Sequence, residues 1–85
     1  MAITTLAANS IAGNLAIASF CQDVTTPAFT PGPGWTNLGD FANSAALPSI
    51  TSEFMPDQPA AKSTASATTS VSGKFAATIV TFHVP

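Results

Sequence analysis

The feature that most constrains this chain is residues 73–84, the only long run of unbroken β character. Residues two apart lie on the same face of a strand. The two faces are Phe75, Ala77, Ile79, Thr81 and His83 on one side, and Ala76, Thr78, Val80, Phe82 and Val84 on the other. Both are largely apolar, so neither is suited to water. The sequence therefore predicts a strand covered on both sides, by its own chain or by another subunit.

The length of the chain, 85 residues, predicts one small domain over residues 1–85. A domain of this size buries only roughly 60% of its unfolded surface, and such domains usually add disulfides, a metal or oligomerisation. Cys21 is the only cysteine and His83 the only histidine, which excludes an internal disulfide and a His/Cys metal cluster. No metal or cofactor is predicted. Oligomerisation or docking on a protein partner remains as the source of stability.

Charge is the strongest anomaly of the composition. Charged residues make up 7% of the chain, against roughly 25% in an average soluble domain. This scarcity predicts a surface mostly occupied by neighbouring proteins; the alternative is a monomer that exposes Ser and Thr hydroxyls instead. Only Lys62 and Lys74 are basic, so nucleic acid is not a predicted partner. No membrane association is predicted either, because residues 3–21 lack a preceding positive charge and are diluted by polar residues.

Three strands are predicted, of which residues 73–84 are the first. Residues 14–24 form the second candidate strand, with Leu15, Ile17 and Ser19 on one face and Ala16, Ala18 and Phe20 on the other. Alanines on one face would let another layer approach closely. Residues 49–55 form the third strand. Residues 1–12 are predicted as an arm or short strand, followed by a turn.

The remaining segments are predicted as loops or extended chain. Prolines and glycines in residues 25–34 exclude a central strand or a helix. Residues 35–41 place Trp35 and Phe41 around a Gly39–Asp40 turn, with Trp35 as a core anchor or an interface anchor. Residues 43–46 suit one helical turn, and residues 56–59 a turn. The Ala/Ser/Thr-rich residues 60–72 are a flexible linker or an extended segment pressed against a neighbour.

The fold class that follows is mainly β. We expect a small antiparallel sheet, sandwich or partial barrel with long Pro/Gly loops and an extended N-terminal arm. No enzymatic activity is predicted. His83, Cys21 and Asp23 or Asp40 are residue types found in catalytic sites, but none of them lies in a recognisable catalytic motif. The four acidic residues are too dispersed for a calcium loop, although a Ca²⁺ site shared between subunits is an alternative.

In length and composition the chain resembles small virion proteins of tailed bacteriophages, of the capsid cement or decoration type. The resemblance implies a β-rich, oligomeric subunit that clamps neighbouring major capsid subunits in a virion assembled in the host cytoplasm. Its expected partners are the major capsid protein and copies of itself. The residues predicted to form interfaces are Trp35, Phe41, Phe75, Ile79, Val80, Phe82 and Val84. The alternatives are a self-polymerising tail, fibre or pilus-like subunit and a small ligand-binding module.

Overall fold

The computed structural model of the chain describes residues 1–10, 13–24, 27–41, 49–56 and 61–82, with the backbone alone for residues 9, 10, 41 and 61–63. The strands in these residues are β1 (Ala2–Thr4), β2 (Ala8–Ser10), β3 (Leu15–Gln22), β4 (Phe29–Pro31), β5 (Thr36–Phe41), β6 (Ser49–Met55), β7 (Ala61–Ser63), β8 (Ser66–Thr69) and β9 (Phe75–Phe82). The predicted mainly-β class is confirmed. The described residues contain no helix that is long and apolar enough to cross a membrane.

The strands form antiparallel sheets. One sheet has four strands in the order β5-β6-β3-β9, a second has three in the order β1-β8-β4, and β2 pairs with β7. The chain therefore builds two principal layers, as the predicted antiparallel architecture requires. The core lies between them. Its fully buried members include Ile3 from β1, Phe20 from β3 and Ala65 beside β8.

β3 is the central strand of the four-stranded sheet, and its burial alternates along its whole length. Ala16, Ala18 and Phe20 are fully buried, which confirms the predicted inner face of this strand. Opposite them, Ala65 and Ala67 come from the Ala/Ser/Thr-rich segment. Small side chains on both layers let the two sheets approach closely, so this low-complexity segment has a packing role.

β9 departs from the prediction made for it. It pairs with β3 alone and lies at the end of the four-stranded sheet. Its burial alternates, so the predicted division into two faces is confirmed. Ile79 packs against the core, whereas Val80 on the other face is 52% exposed. Within the described part of the chain, only one of the two apolar faces is therefore covered.

The segments predicted to reach outward contain short strands. Residues 2–4 of the predicted N-terminal arm form β1, which pairs with β8 and carries the fully buried Ile3. Within the Pro/Gly-rich residues 25–34, β4 is an outer strand of its sheet. That position suits Pro31, because proline has no N–H to donate to a neighbouring strand. Residues 60–72 supply β7 and β8.

The turn predicted at Gly39–Asp40 is wrong. These residues lie within β5, where the pairing with β6 shifts register between Asn37 and Gly39. An extra residue in one strand forms a β-bulge, which is a place where glycine is common within a strand. The helical turn predicted for residues 43–46 lies outside the described residues, as does most of the turn predicted for residues 56–59.

The tight turn between β4 and β5 positions Trp35 in the core. The Trp35 backbone N–H donates to the Gly32 carbonyl at 3.1 Å, and Gly34 has a φ of +82°. Trp35 is 8% exposed. It is thus a core anchor beneath the Pro/Gly segment, the first of its two predicted roles.

A polar contact also joins the two principal sheets. The Thr69 hydroxyl of β8 donates to Gln22 Oε1 of β3 at 2.6 Å. The Gln22 amide nitrogen donates to the Val71 carbonyl at 2.7 Å. Because Gln22 is fully buried, these bonds replace those that its amide would form with water.

Candidate interaction surface

The outer face of the four-stranded sheet is an apolar surface that the described residues leave uncovered. It is built by alternate residues of β3, β6 and β9, whose inner neighbours face the core. The register aligns these residues in rows across the sheet. The apolar side chains of this outer face are Leu15, Ile17, Cys21, Ile50, Phe54, Ala76, Val80 and Phe82.

Bulky side chains form a ridge at one end of the outer face. Phe82 lies opposite Leu15, and Val80 lies opposite Ile17, which in turn lies opposite Phe54. Val80 and Phe82 are 52% and 47% exposed. Side chains of this size, half exposed on adjacent rows, indicate a contact surface rather than isolated surface residues.

At the other end of the outer face, the side chains of β3 and β9 are smaller. A shallow, almost wholly apolar depression of about 200 Å³ opens there, bounded by Cys21, Ile50 and Ala76. A row of hydroxyls borders the ridge and also lines the depression. In this row Ser19 lies opposite both Ser52 and Thr78, and the Ser19 and Ser52 hydroxyls are 2.9 Å apart.

The outer face has no charged side chain among its described residues. Asp23 and Lys74 lie just beyond the ends of β3 and β9, where the Asp23 N–H donates to the Lys74 carbonyl at 2.9 Å. The scarcity of charged residues in the composition is therefore reflected on this surface. A surface without charges loses little solvation free energy when another protein covers it.

The outer face of the three-stranded sheet has a different chemistry. Thr68 lies at its centre, opposite both Ala2 and Thr30, and Thr4 lies opposite Ser66. The three threonines are exposed. The chain thus has one apolar outer face and one hydroxyl-bearing outer face, which combines the two surface types that the composition left open.

The residues predicted to form interfaces do not share one surface. Val80 and Phe82 lie on the apolar outer face, whereas Ile79 points to the core and Phe75 lies on the inner side at the end of the sheet. Trp35 is buried. The side chain of Phe41 and all of Val84 lie outside what the structure describes.

Sequence reasoning missed the contributions of β3 and β6 to this surface. The alternation in residues 14–24 identified Ile17 as facing away from the alanines, and residues 49–55 showed the same period. The signal for each strand was present. The missing information was that these strands are neighbours, because strand order is set by long-range pairing.

One buried ionisable group lies on the inner side of β6. Glu53 is 1% exposed, and neither of its carboxylate oxygens has a hydrogen-bond partner. Burial away from water raises the pKa of the Glu53 carboxyl to about 7. Glu53 lies opposite Ala18 and Asn37, and no group of three or more potential metal ligands occurs among the described residues.

Comparisons with known proteins give no family for this chain: no family model, no curated protein and no solved structure matches it.

Proposed function

We propose that the chain is a structural subunit of a larger assembly, and specifically a capsid cement or decoration protein that stabilises contacts between major capsid subunits. The observation that carries the proposal is the apolar outer face, which is uncharged in its described residues and half exposed at its ridge. A surface of this kind requires another protein to cover it.

The small size and low charge of the chain support the same class. With 85 residues and 7% charged side chains, the chain depends on neighbours for burial that its own core does not supply. The hydroxyl-bearing face then gives it a second surface that tolerates water. A subunit attached to the outside of a shell needs both kinds of surface.

The test is binding of the purified full chain to empty shells of the major capsid protein of the same virus. We expect saturable co-sedimentation at a fixed ratio to the capsid protein, together with a higher temperature of shell disruption. Absence of binding would contradict the cement role. Filaments of the purified chain under the electron microscope would favour the tail, fibre or pilus alternative.

A further inference from the structure

We propose that the apolar outer face of the four-stranded sheet pairs with the same face of a second copy, so that the working unit is a two-fold dimer. This inference rests on the proposed assembly function and names the first partner at that surface. The area, charge and shape of the outer face support it.

The area of the outer face is close to what a dimer needs. Its four strands, β5, β6, β3 and β9, are six, seven, eight and eight residues long. At about 3.3 Å for each residue and about 4.8 Å between strands, they give a footprint of roughly 450 Å². Two such faces in contact bury roughly 900 Å², near the roughly 1,000 Å² at which specific protein interfaces begin.

The charge distribution permits a second copy and disfavours strongly charged partners. A surface pairs with itself only when its own charges do not repel each other across the interface. The described residues of the outer face bring no charge into the contact. Asp23 and Lys74 lie at its border and have opposite signs. A partner of strong single-sign charge would find no complementary group on this face.

The shape of the outer face is complementary to itself. The ridge occupies the rows of Val80 and Phe82, and the depression occupies the rows of Ala76 and Thr78. A two-fold axis parallel to the sheet, perpendicular to the strands and level with Ile79 exchanges these two regions. Each copy then places Phe82 above Ala76 of the other, ridge into depression, as in aligned packing of two sheets.

The dimer leaves the two hydroxyl-bearing faces outermost. The strand order places the three-stranded sheet on the far side of each core, with Thr68 at the centre of its outer face. The predicted unit is therefore four sheets thick, apolar at its middle and hydroxylated on both outer surfaces. These surfaces remain available to the shell.

The chain offers a matched pair of variants for testing the dimer. Thr78 and Thr68 are both exposed threonines within strands, but Thr78 lies on the apolar outer face and Thr68 on the hydroxyl-bearing face. Thr78→Asp places an unpaired charge in the proposed interface, which should weaken the dimer by about a hundredfold. Thr68→Asp should leave the dimer unchanged.

Molar mass by light scattering over a concentration series gives the first readout, with circular dichroism to establish that both variants fold. Cys21 gives a second readout, because this partly buried cysteine lines the depression that the partner would cover. We expect its labelling rate to fall as concentration rises in the wild type and in Thr68→Asp, but not in Thr78→Asp.

The possible results separate this inference from the proposed function. A wild-type chain that is monomeric at every concentration, or equal dimerisation of the two variants, would overturn the dimer even if shells are still bound. Open-ended growth would overturn its two-fold closure. A dimer sensitive to Thr78→Asp that binds no shell would support the interface and overturn the cement role.

Discussion

At the scale of single residues, Glu53 is the group whose environment departs furthest from the ordinary. Glutamates are almost never fully buried unless they are paired, yet this carboxyl is buried opposite Ala18 without a hydrogen-bond partner. A buried ionised carboxylate without a partner is unfavourable, and the group responds by keeping its proton to a higher pH. Glu53 therefore couples the stability of the fold to pH.

We expect the free energy of unfolding to fall as the pH rises from about 4.5 to about 7. The unfolded chain loses the Glu53 proton near its ordinary pKa of 4.5, whereas burial raises the pKa in the folded chain to about 7. The penalty is absent below this range and complete above it. It reaches at most about 3.5 kcal/mol, at about 1.4 kcal/mol for each pKa unit.

Urea unfolding of Glu53→Gln at pH 5 and pH 8 tests this expectation. The variant cannot ionise, so its stability should stay constant across that range and exceed the wild-type value at pH 8. Asp23→Asn is the control, because Asp23 is exposed and its removal should leave the wild-type fall intact. An unchanged pH dependence in Glu53→Gln would show that another group is responsible.

At the scale of secondary-structure elements, the two principal sheets are joined by side-chain contacts of two kinds. Alanines allow close approach at the centre of the core, and the Thr69–Gln22 hydrogen bond joins β8 to the end of β3. At the other side, the turn between β4 and β5 carries the chain from one sheet to the other. Each of these connections depends on one or two residue types that a substitution can test.

The Thr69–Gln22 bond can be removed without changing the shape of the threonine. Thr69→Val keeps a β-branched side chain but leaves the buried Gln22 Oε1 without this donor. We expect a loss of about 1–3 kcal/mol of unfolding free energy in urea. Thr68→Val, at the exposed neighbouring position, should change stability by less than about 0.5 kcal/mol. Equal effects of the two substitutions would mean that the bond contributes nothing.

The turn between β4 and β5 requires glycine at position 34. Gly34 has a φ of +82°, and an added Cβ would lie 2.9 Å from Met55 Cε. We expect Gly34→Ala to lower the free energy of unfolding by roughly 1–2 kcal/mol. In the bulge of β5, an added Cβ at Gly39 meets no atom within 4 Å, so Gly39→Ala should be nearly neutral in the same unfolding measurement. A milder effect at Gly34 than at Gly39 would contradict this.

Much of the fold at this scale could be predicted from the sequence. The bounds of β6 and the alternation of β3 and β9 follow from a period of two in apolar side chains. The strand β5 was not predicted, because Gly39 and Asp40 favour a turn locally. Long-range pairing with β6 overrides that preference. Val80 and Phe82 were among the residues predicted to form interfaces, but their neighbours Ile17 and Phe54 were not, because strand order depends on long-range pairing.

At the scale of the whole molecule, the chain is an elongated body of 44 × 18 × 17 Å with two outer faces of unlike chemistry. The two faces do not differ in charge. They differ because one carries hydroxyl groups and the other carries apolar side chains. Threonines cover the three-stranded side, while the ridge around Phe82 lies on the four-stranded side. Such a molecule has one surface suited to water and one suited to burial against protein.

The pairing of β3 also affects how the chain folds while it is being synthesised. β3 lies early in the chain and gains its second neighbour only from residues 75–82. During synthesis its apolar side chains leave the ribosome long before the strand that completes their sheet. Pairing between such distant segments folds slowly, and exposed strands invite aggregation in the meantime. Rapid capture by a chaperone or by the growing assembly would therefore determine how much of the newly made chain reaches this fold.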